Sequence, residues 1–334
     1  MRLSYFVTLA IVATTSLAAQ DASVGVPSLG FAFDASLRAI RPMRGTPGAA
    51  LLADPFDLGV PILSSAISPR QDFAIVTVPA HGKERTHEPV VRLVRFQNGG
   101  ATLQSLDSAM AAPDRVVLSP TGRAALLYRH PGRLQTITGL PDRPVARDWN
   151  FAALNGAPAA LAVSDDGALI VLAAGAQDSE PVWLLDSDGG ASPLPLPGST
   201  VAVAFHGNSR DLLAVAANGD VYLIRGAGSN TPYRMFHGAA TSNVVAVQFS
   251  PDGARAYTAD ASGIFSTLDL ESGSTARISC GCRAAALDPL TAPNIYRVTP
   301  VSDLPLMLFD VSRPEPRIWF VPRARVQQAE GGVL

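Results

Sequence analysis

The chain has 334 residues, of which 47% are apolar and 16% charged, and its formal net charge is −2. That composition fits a globular body with a large core. The near-neutral charge and the lack of interleaved basic and aromatic residues argue against nucleic acid or an anionic membrane surface as partner.

Arg2, the apolar stretch from Leu3 to Val12 and the small residues through Ser16, Ala18 and Ala19 read as a secretory signal peptide over residues 1–19. The apolar part falls short of the ~20 residues that a membrane span needs, and a small-residue cleavage site follows it. The expected organisation is one domain over residues 20–326 and a flexible tail at 327–334. The expected localisation is export, to the periplasm or beyond the cell.

Past the leader, short apolar runs broken by tight polar turns recur. The clearest copy is Val244 to Phe249, then Ser250-Pro251-Asp252-Gly253, then Ala254 to Thr258. Equivalent turns are placed at Ser68, Ser119, Ser164, His206, Ser250 and Asp288. A period of roughly 40 to 50 residues is that of a four-stranded propeller blade. In the turn, proline presets φ, Asp bonds its own backbone and Gly accepts a positive φ. Downstream in each unit an apolar strand ends in Asp, as in Phe31-Ala32-Phe33-Asp34, Trp183-Leu184-Leu185-Asp186, Ser266-Thr267-Leu268-Asp269 and Met307-Leu308-Phe309-Asp310.

With degenerate versions at Arg92–Phe96, Arg133–Ile137 and Val221–Arg225, these make seven third-strand elements against six pairs of first and second strands. The expectation is an all-β protein, a β-propeller of seven blades with an incomplete N-terminal blade. Residues 28–52 would supply outer strands of that blade, and the segment Val321 to Val326 would pair with it to close the ring, since an open edge invites aggregation. The alternative is six blades plus an N-terminal hairpin. Residues 244–278, with FSPDG, AYTAD and LDLESG, resemble a repeat of the YVTN/WD-like bacterial propellers. The Gly-His and Trp-Asp pairs of WD repeats are absent. The resemblance implies a family that includes surface scaffolds, lactonases and accessory subunits, so it assigns little function.

Few constellations carry chemistry. Cys280-Gly281-Cys282 in an exported chain reads as a structural disulfide clip, with a redox pair or a thiolate metal site as alternatives. Residues i and i+2 of a straight strand sit near the upper limit for a disulfide, and Gly281 allows the backbone to bend. The polar cluster His81, Lys83, Glu84, Arg85, His87 and Glu88 reads as an interaction loop. It also contains zinc-ligand residue types at a spacing that matches no motif. Asp186-Ser187-Asp188-Gly189-Gly190 opens like a calcium loop but lacks the later Glu.

Tyr128, Tyr222, Tyr257 and Tyr296 read as core packing, whereas Trp149 reads as an exposed contact. The leading functional expectation is a monomeric, non-catalytic scaffold without cofactor that holds a protein or glycan through loops on one face. The alternative is a metal-dependent lactonase or hydrolase, with Ca²⁺ or Zn²⁺ in the channel and candidates Asp114, Asn208, Asn243 and Asp260.

Overall fold

The computed structural model describes residues 27–80, 88–151, 156–174, 181–228 and 232–323. Residues 1–26, on which the expected leader falls, His81 to His87 and the expected tail 327–334 lie outside the described residues. The described residues form a seven-bladed β-propeller of antiparallel sheets. Blade 1 holds β1–β3 (Ser28–Asp34, Ala39–Arg44, Leu51–Leu52), and blade 2 holds β4–β7 (Ser64–Ile67, Phe73–Val78, Val90–Gln97, Gly100–Ser105). Blade 3 holds β8–β11 (Arg115–Leu118, Ala124–Arg129, Arg133–Thr138, Val145–Asn150), and blade 4 β12–β15 (Ala160–Val163, Leu169–Ala173, Val182–Asp186, Ala191–Leu194). Blade 5 holds β16–β19 (Thr200–Phe205, Leu212–Ala216, Val221–Ile224, Tyr233–Phe236). Blade 6 holds β20–β23 (Val244–Phe249, Arg255–Asp260, Ile264–Asp269, Thr275–Ser279), and blade 7 β24–β27 (Asp288–Pro289, Ile295–Arg297, Leu306–Asp310, Arg317–Val321).

Burial explains why the repeats read as they do. The second strands β5, β13 and β17 are buried at every position. Both of their faces meet neighbouring blades, so their sequences are unbroken apolar runs. The fourth strands β7, β15 and β23 face solvent and lose that pattern. Each of seven apolar clusters straddles two adjacent blades, and the clusters run round the whole ring. The four tyrosines named above are all buried. At the joint of blades 6 and 7, Phe265 stacks on Phe309 with ring centroids 4.8 Å apart. Trp149 is a correction to the expected exposed contact. It is buried, and its indole N–H donates to Thr136 Oγ1 at 2.9 Å.

The turn joining first and second strands repeats a backbone bond in which residue i donates to the carbonyl of residue i+5. Ser68 N donates to Phe73 O, and Ser119, Ser164, His206 and Ser250 do the same to Ala124, Leu169, Asp211 and Arg255. In blade 7 the equivalent residue is Leu290, which donates to Ile295 O, so that turn starts two residues later than the sequence placed it. Asp288 instead lies in β24 and pairs with Arg297.

Blade 1 closes the ring. Leu29, Met43 and Leu52 pack on Leu290, Leu306 and Val321 of blade 7, and Ile40 packs on Val76 and Phe96 of blade 2. Leu52 N donates to Pro322 O at 3.1 Å, and Leu52 bridges Arg323 in parallel, so the segment after β27 joins the free edge of β3. The Phe31–Asp34 element is not a third strand. Its start abuts two of the first turns: Phe31 N donates to Gln71 Oε1, and Thr291 N donates to Leu29 O. A strand that begins beside those turns has the direction and place of a second strand. Like the second strands β9, β13 and β17, β1 contacts the first strand of the next blade.

Among the described residues no strand takes the innermost place of blade 1. The Gln71 carboxamide spans it, accepting from Phe31 N at 2.7 Å and donating to Pro289 O at 2.7 Å.

Three buried carboxylates, Asp34, Asp260 and Asp310, cap strand-end turns. Each accepts the N–H and hydroxyl of the serine two residues on, Ser36, Ser262 and Ser312. Burial pushes these carboxyls up, but the hydrogen bonds outweigh it and leave all three below the ordinary 3.8. A lowered folded-state pKa gives stability that is present above the unfolded value and lost as pH falls through the folded one. The melting temperature is therefore expected to stay flat from about pH 8 to about pH 5 and fall below about pH 4. A thermal melt series checks this.

Candidate functional site

The first turns of the blades gather at one end of the central channel and surround a cavity of about 480 Å³. Below it the channel narrows to a space of about 90 Å³ walled by first-strand residues such as Val117, Leu161 and Val203. Prolines 69, 120, 251 and 289 make the wall of the mouth apolar and stiff. Arg70 and Arg123 supply its cationic groups and His206 an imidazole, with no Asp or Glu among the described lining residues.

The rim is laced between blades. Asp165 Oδ1 accepts from Thr121 N at 2.9 Å and Thr121 Oγ1 at 2.7 Å, and its Oδ2 accepts from Asn208 N at 2.9 Å. One carboxylate of blade 4 thereby ties the turns of blades 3 and 5. His206 Nε2 lies 3.4 Å from Pro251 O and Nδ1 lies 3.2 Å from Ser209 Oγ. A carbonyl only accepts, so Nε2 carries a proton toward Pro251 O. The ring edge also meets Phe249 at 5.1 Å. Burial above all, with Asp252 adding to it, pushes the Tyr296 hydroxyl far up, so it meets the cavity as a neutral phenol. A rim locked in this way spends little conformational entropy on binding.

Of the channel candidates read from the sequence, only Asn208 lines this mouth. Asp114 accepts from His130 N, and Asp260 is taken by Thr241, Ser262 and Ile264. Asn243 occupies a left-handed turn position with φ 69°. Among the described residues no three His, Cys, Asp or Glu side chains stand together as a metal cluster. Asp186 Oδ1 accepts from Asp188 N and Gly190 N, both at 2.9 Å, which makes that loop a capped hairpin turn. Glu88 is held by both nitrogens of Arg129 at 2.8 Å, while the rest of its loop lies outside the described residues.

Cys280 and Cys282 are joined as a disulfide with Cα atoms 5.1 Å apart, and Gly281 between them takes φ 61°. The clip lies over Gly263, where a Cβ would meet Cys282 O at 2.2 Å. A loop this short constrains the unfolded chain weakly. The Cys280→Ser, Cys282→Ser double variant is expected to lose about 1–2 kcal/mol in a urea melt.

The residues that matter most at the mouth were hidden from sequence reading. Arg123 follows a turn glycine and carries no motif, and Gln71, which bridges Phe31 and Pro289 outside the cavity lining, reads as a drifted copy of that glycine.

No family model matches the chain, and no curated protein matches it. Among solved structures it is similar to that of a functionally unknown protein from Desulfotomaculum acetoxidans. The TM-score is 0.56 at 14% identity, covering 89% of this chain and 100% of the other. That likeness extends to the fold. Among the described residues no helix is long and apolar enough to cross a membrane.

Proposed function

We propose that this protein is an exported, non-catalytic propeller of the YVTN/WD-like repeat class, acting as a monomeric scaffold that holds a partner at the channel mouth. The observation that carries the reading is the rim. Turns of blades 3, 4, 5 and 6 are cross-tied by Asp165 and His206 around an open cavity with an apolar wall and polar edges. Binding sites have this composition and preorganisation, and propeller turns are where such sites can vary without disturbing the blades. Export rests on the leader-like residues 1–19. The repeat class rests on FSPDG and the strands flanking it.

The test is to tag the mature protein, express it in its native compartment, cross-link mildly and identify what co-purifies. A near-stoichiometric partner that is lost on Asn208→Arg, with melting unchanged, supports the reading. A solitary protein, or a partner indifferent to that substitution, overturns it.

A further inference from the structure

The disulfide stands away from the channel mouth, just past the outer strand β23 of blade 6. The peptide around it is held without the sulfur bond. Cys280 N donates to Gly263 O at 3.0 Å, and Ala285 N donates to Val298 O at 2.8 Å. A bridge between residues two apart adds little to that, since the stabilisation from closing a loop shrinks with its length. Reduction therefore leaves the fold standing, with the two thiols still side by side.

The two sulfurs have different surroundings. Cys280 Sγ accepts the N–H of Cys282 at 3.0 Å, and among the described residues no donor is aimed at Cys282 Sγ. Cys280 Sγ also lies against the backbone at Gly263, where a Cβ would come within 2.7 Å of it. An N–H aimed at a sulfur stabilises the thiolate that appears when the bond breaks, and the better stabilised sulfur leaves faster. Gly281 is exposed, and a Cβ added to it would meet nothing within 4 Å, so the clip is open on that side. Arg283, the residue after Cys282, is exposed and has no ion pair among the described residues. The nearby carboxylate of Asp260 is turned into its own turn by Ser262 and Ile264.

We propose that Cys280 and Cys282 form a thiol–disulfide exchange site that takes two electrons from a dithiol. One substrate thiolate attacks Cys282 Sγ, the bond to Cys280 breaks, and Cys280 leaves with the electron pair. The second substrate thiolate then attacks the substrate sulfur of the mixed disulfide, and Cys282 leaves in turn. The substrate ends as a disulfide, and the two cysteines end as thiols carrying the two protons the substrate gave up. A monothiol does not serve, because Cys280 is tethered beside Cys282 and expels it again. Only a second thiol tethered to the first competes with that return. The site lies outside the cavity lining and does not depend on the binding role assigned to the channel mouth.

The test mixes the oxidised mature protein with a synthetic peptide carrying two cysteines, and separately with reduced glutathione. Acid quenching, alkylation and mass spectrometry then count the thiols. The peptide is expected to be oxidised at least about tenfold faster than by an equal concentration of oxidised glutathione. Reduced glutathione should leave most of the protein oxidised. The reduced protein should keep the circular dichroism spectrum of the oxidised one. In it, iodoacetamide near neutral pH should alkylate Cys280 at least about fivefold faster than Cys282.

A rate no greater than that of oxidised glutathione overturns the proposal, as does reduction that needs denaturant or unfolds the propeller. Equal alkylation of the two cysteines overturns the assigned leaving group, and equal reduction by glutathione overturns the dithiol. The Cys280→Ser, Cys282→Ser variant should lose the oxidation and still hold any partner at the channel mouth, so the two readings fail separately.

Discussion

Asp34→Ala is expected to cost about 3–5 kcal/mol, the usual penalty for stranding a buried charge. Asp34 is fully buried and Arg41 is 4% exposed, with Nη1 and Oδ2 3.3 Å apart. The same guanidinium donates to Leu52 O and Ala53 O, so the pair fixes β2 against β3. Arg323 lies 3.9 Å from the same carboxylate, at the point where the chain returns to blade 1.

Removing the carboxylate leaves Arg41 buried without its counter-charge and uncaps Ser36 and Leu37. Asp34→Asn should cost less, because the amide oxygen still caps the turn. Adding Arg41→Met to Asp34→Ala should recover part of the loss, because an absent pair is cheaper than half a pair. Urea melts of the three variants check this. A loss under about 0.5 kcal/mol for Asp34→Ala would place it with ordinary surface substitutions and contradict the clasp.

Gln71→Ala is expected to cost about 1–3 kcal/mol, since it leaves the part-buried Phe31 N–H and Pro289 C=O unpaired at the joint of blades 7, 1 and 2. Gln71 sits at φ 59°, where Gly122, Gly167 and Gly253 stand in sister turns at 70°, 67° and 71°. A non-glycine residue there is strained by about 1 kcal/mol or more. The strain is tolerated because the side chain bridges the innermost place of blade 1, where no strand lies among the described residues.

Gln71→Gly should therefore be milder than Gln71→Ala by about 1 kcal/mol, while still destabilising the ring. The facing residue is adapted to the bridge. Gly30 has φ 133°, and a Cβ there would lie 2.6 Å from Gln71 Oε1. Gly30→Ala and Gln71→Ala are consequently expected to be less than additive. Hydrogen exchange at Phe31, fast in Gln71→Ala and slow in the parent protein, locates the effect. A Gln71→Ala protein as stable as the parent contradicts it.

Blade number, most strand types and five of the six turn positions were legible because each has a local cause; the blade 7 turn begins at Leu290 and not at Asp288. Unbroken apolar runs mark second strands buried on both faces, and Ser-Pro-Asp-Gly fixes its own turn. The partial N-terminal blade and the return of the chain near Val321 followed from counting elements. Three details were not legible. Phe31–Asp34 ends in Asp like a third strand, but its register is set by Gln71 and Thr291, which are remote in sequence. Trp149 follows two charged residues, yet Arg147 lies over its ring and Thr136 takes its N–H. At the channel mouth Arg123 lines the cavity without an ion pair among the described residues, which only packing can create.

Site-specific photo-crosslinking tests the central claim most directly. A benzophenone side chain placed at position 208 on the channel rim should capture the co-purifying partner. The same group at Val145, an exposed residue on the outer strand of blade 3, should capture none. Capture from position 145 and silence from position 208 would contradict a contact surface at the channel mouth.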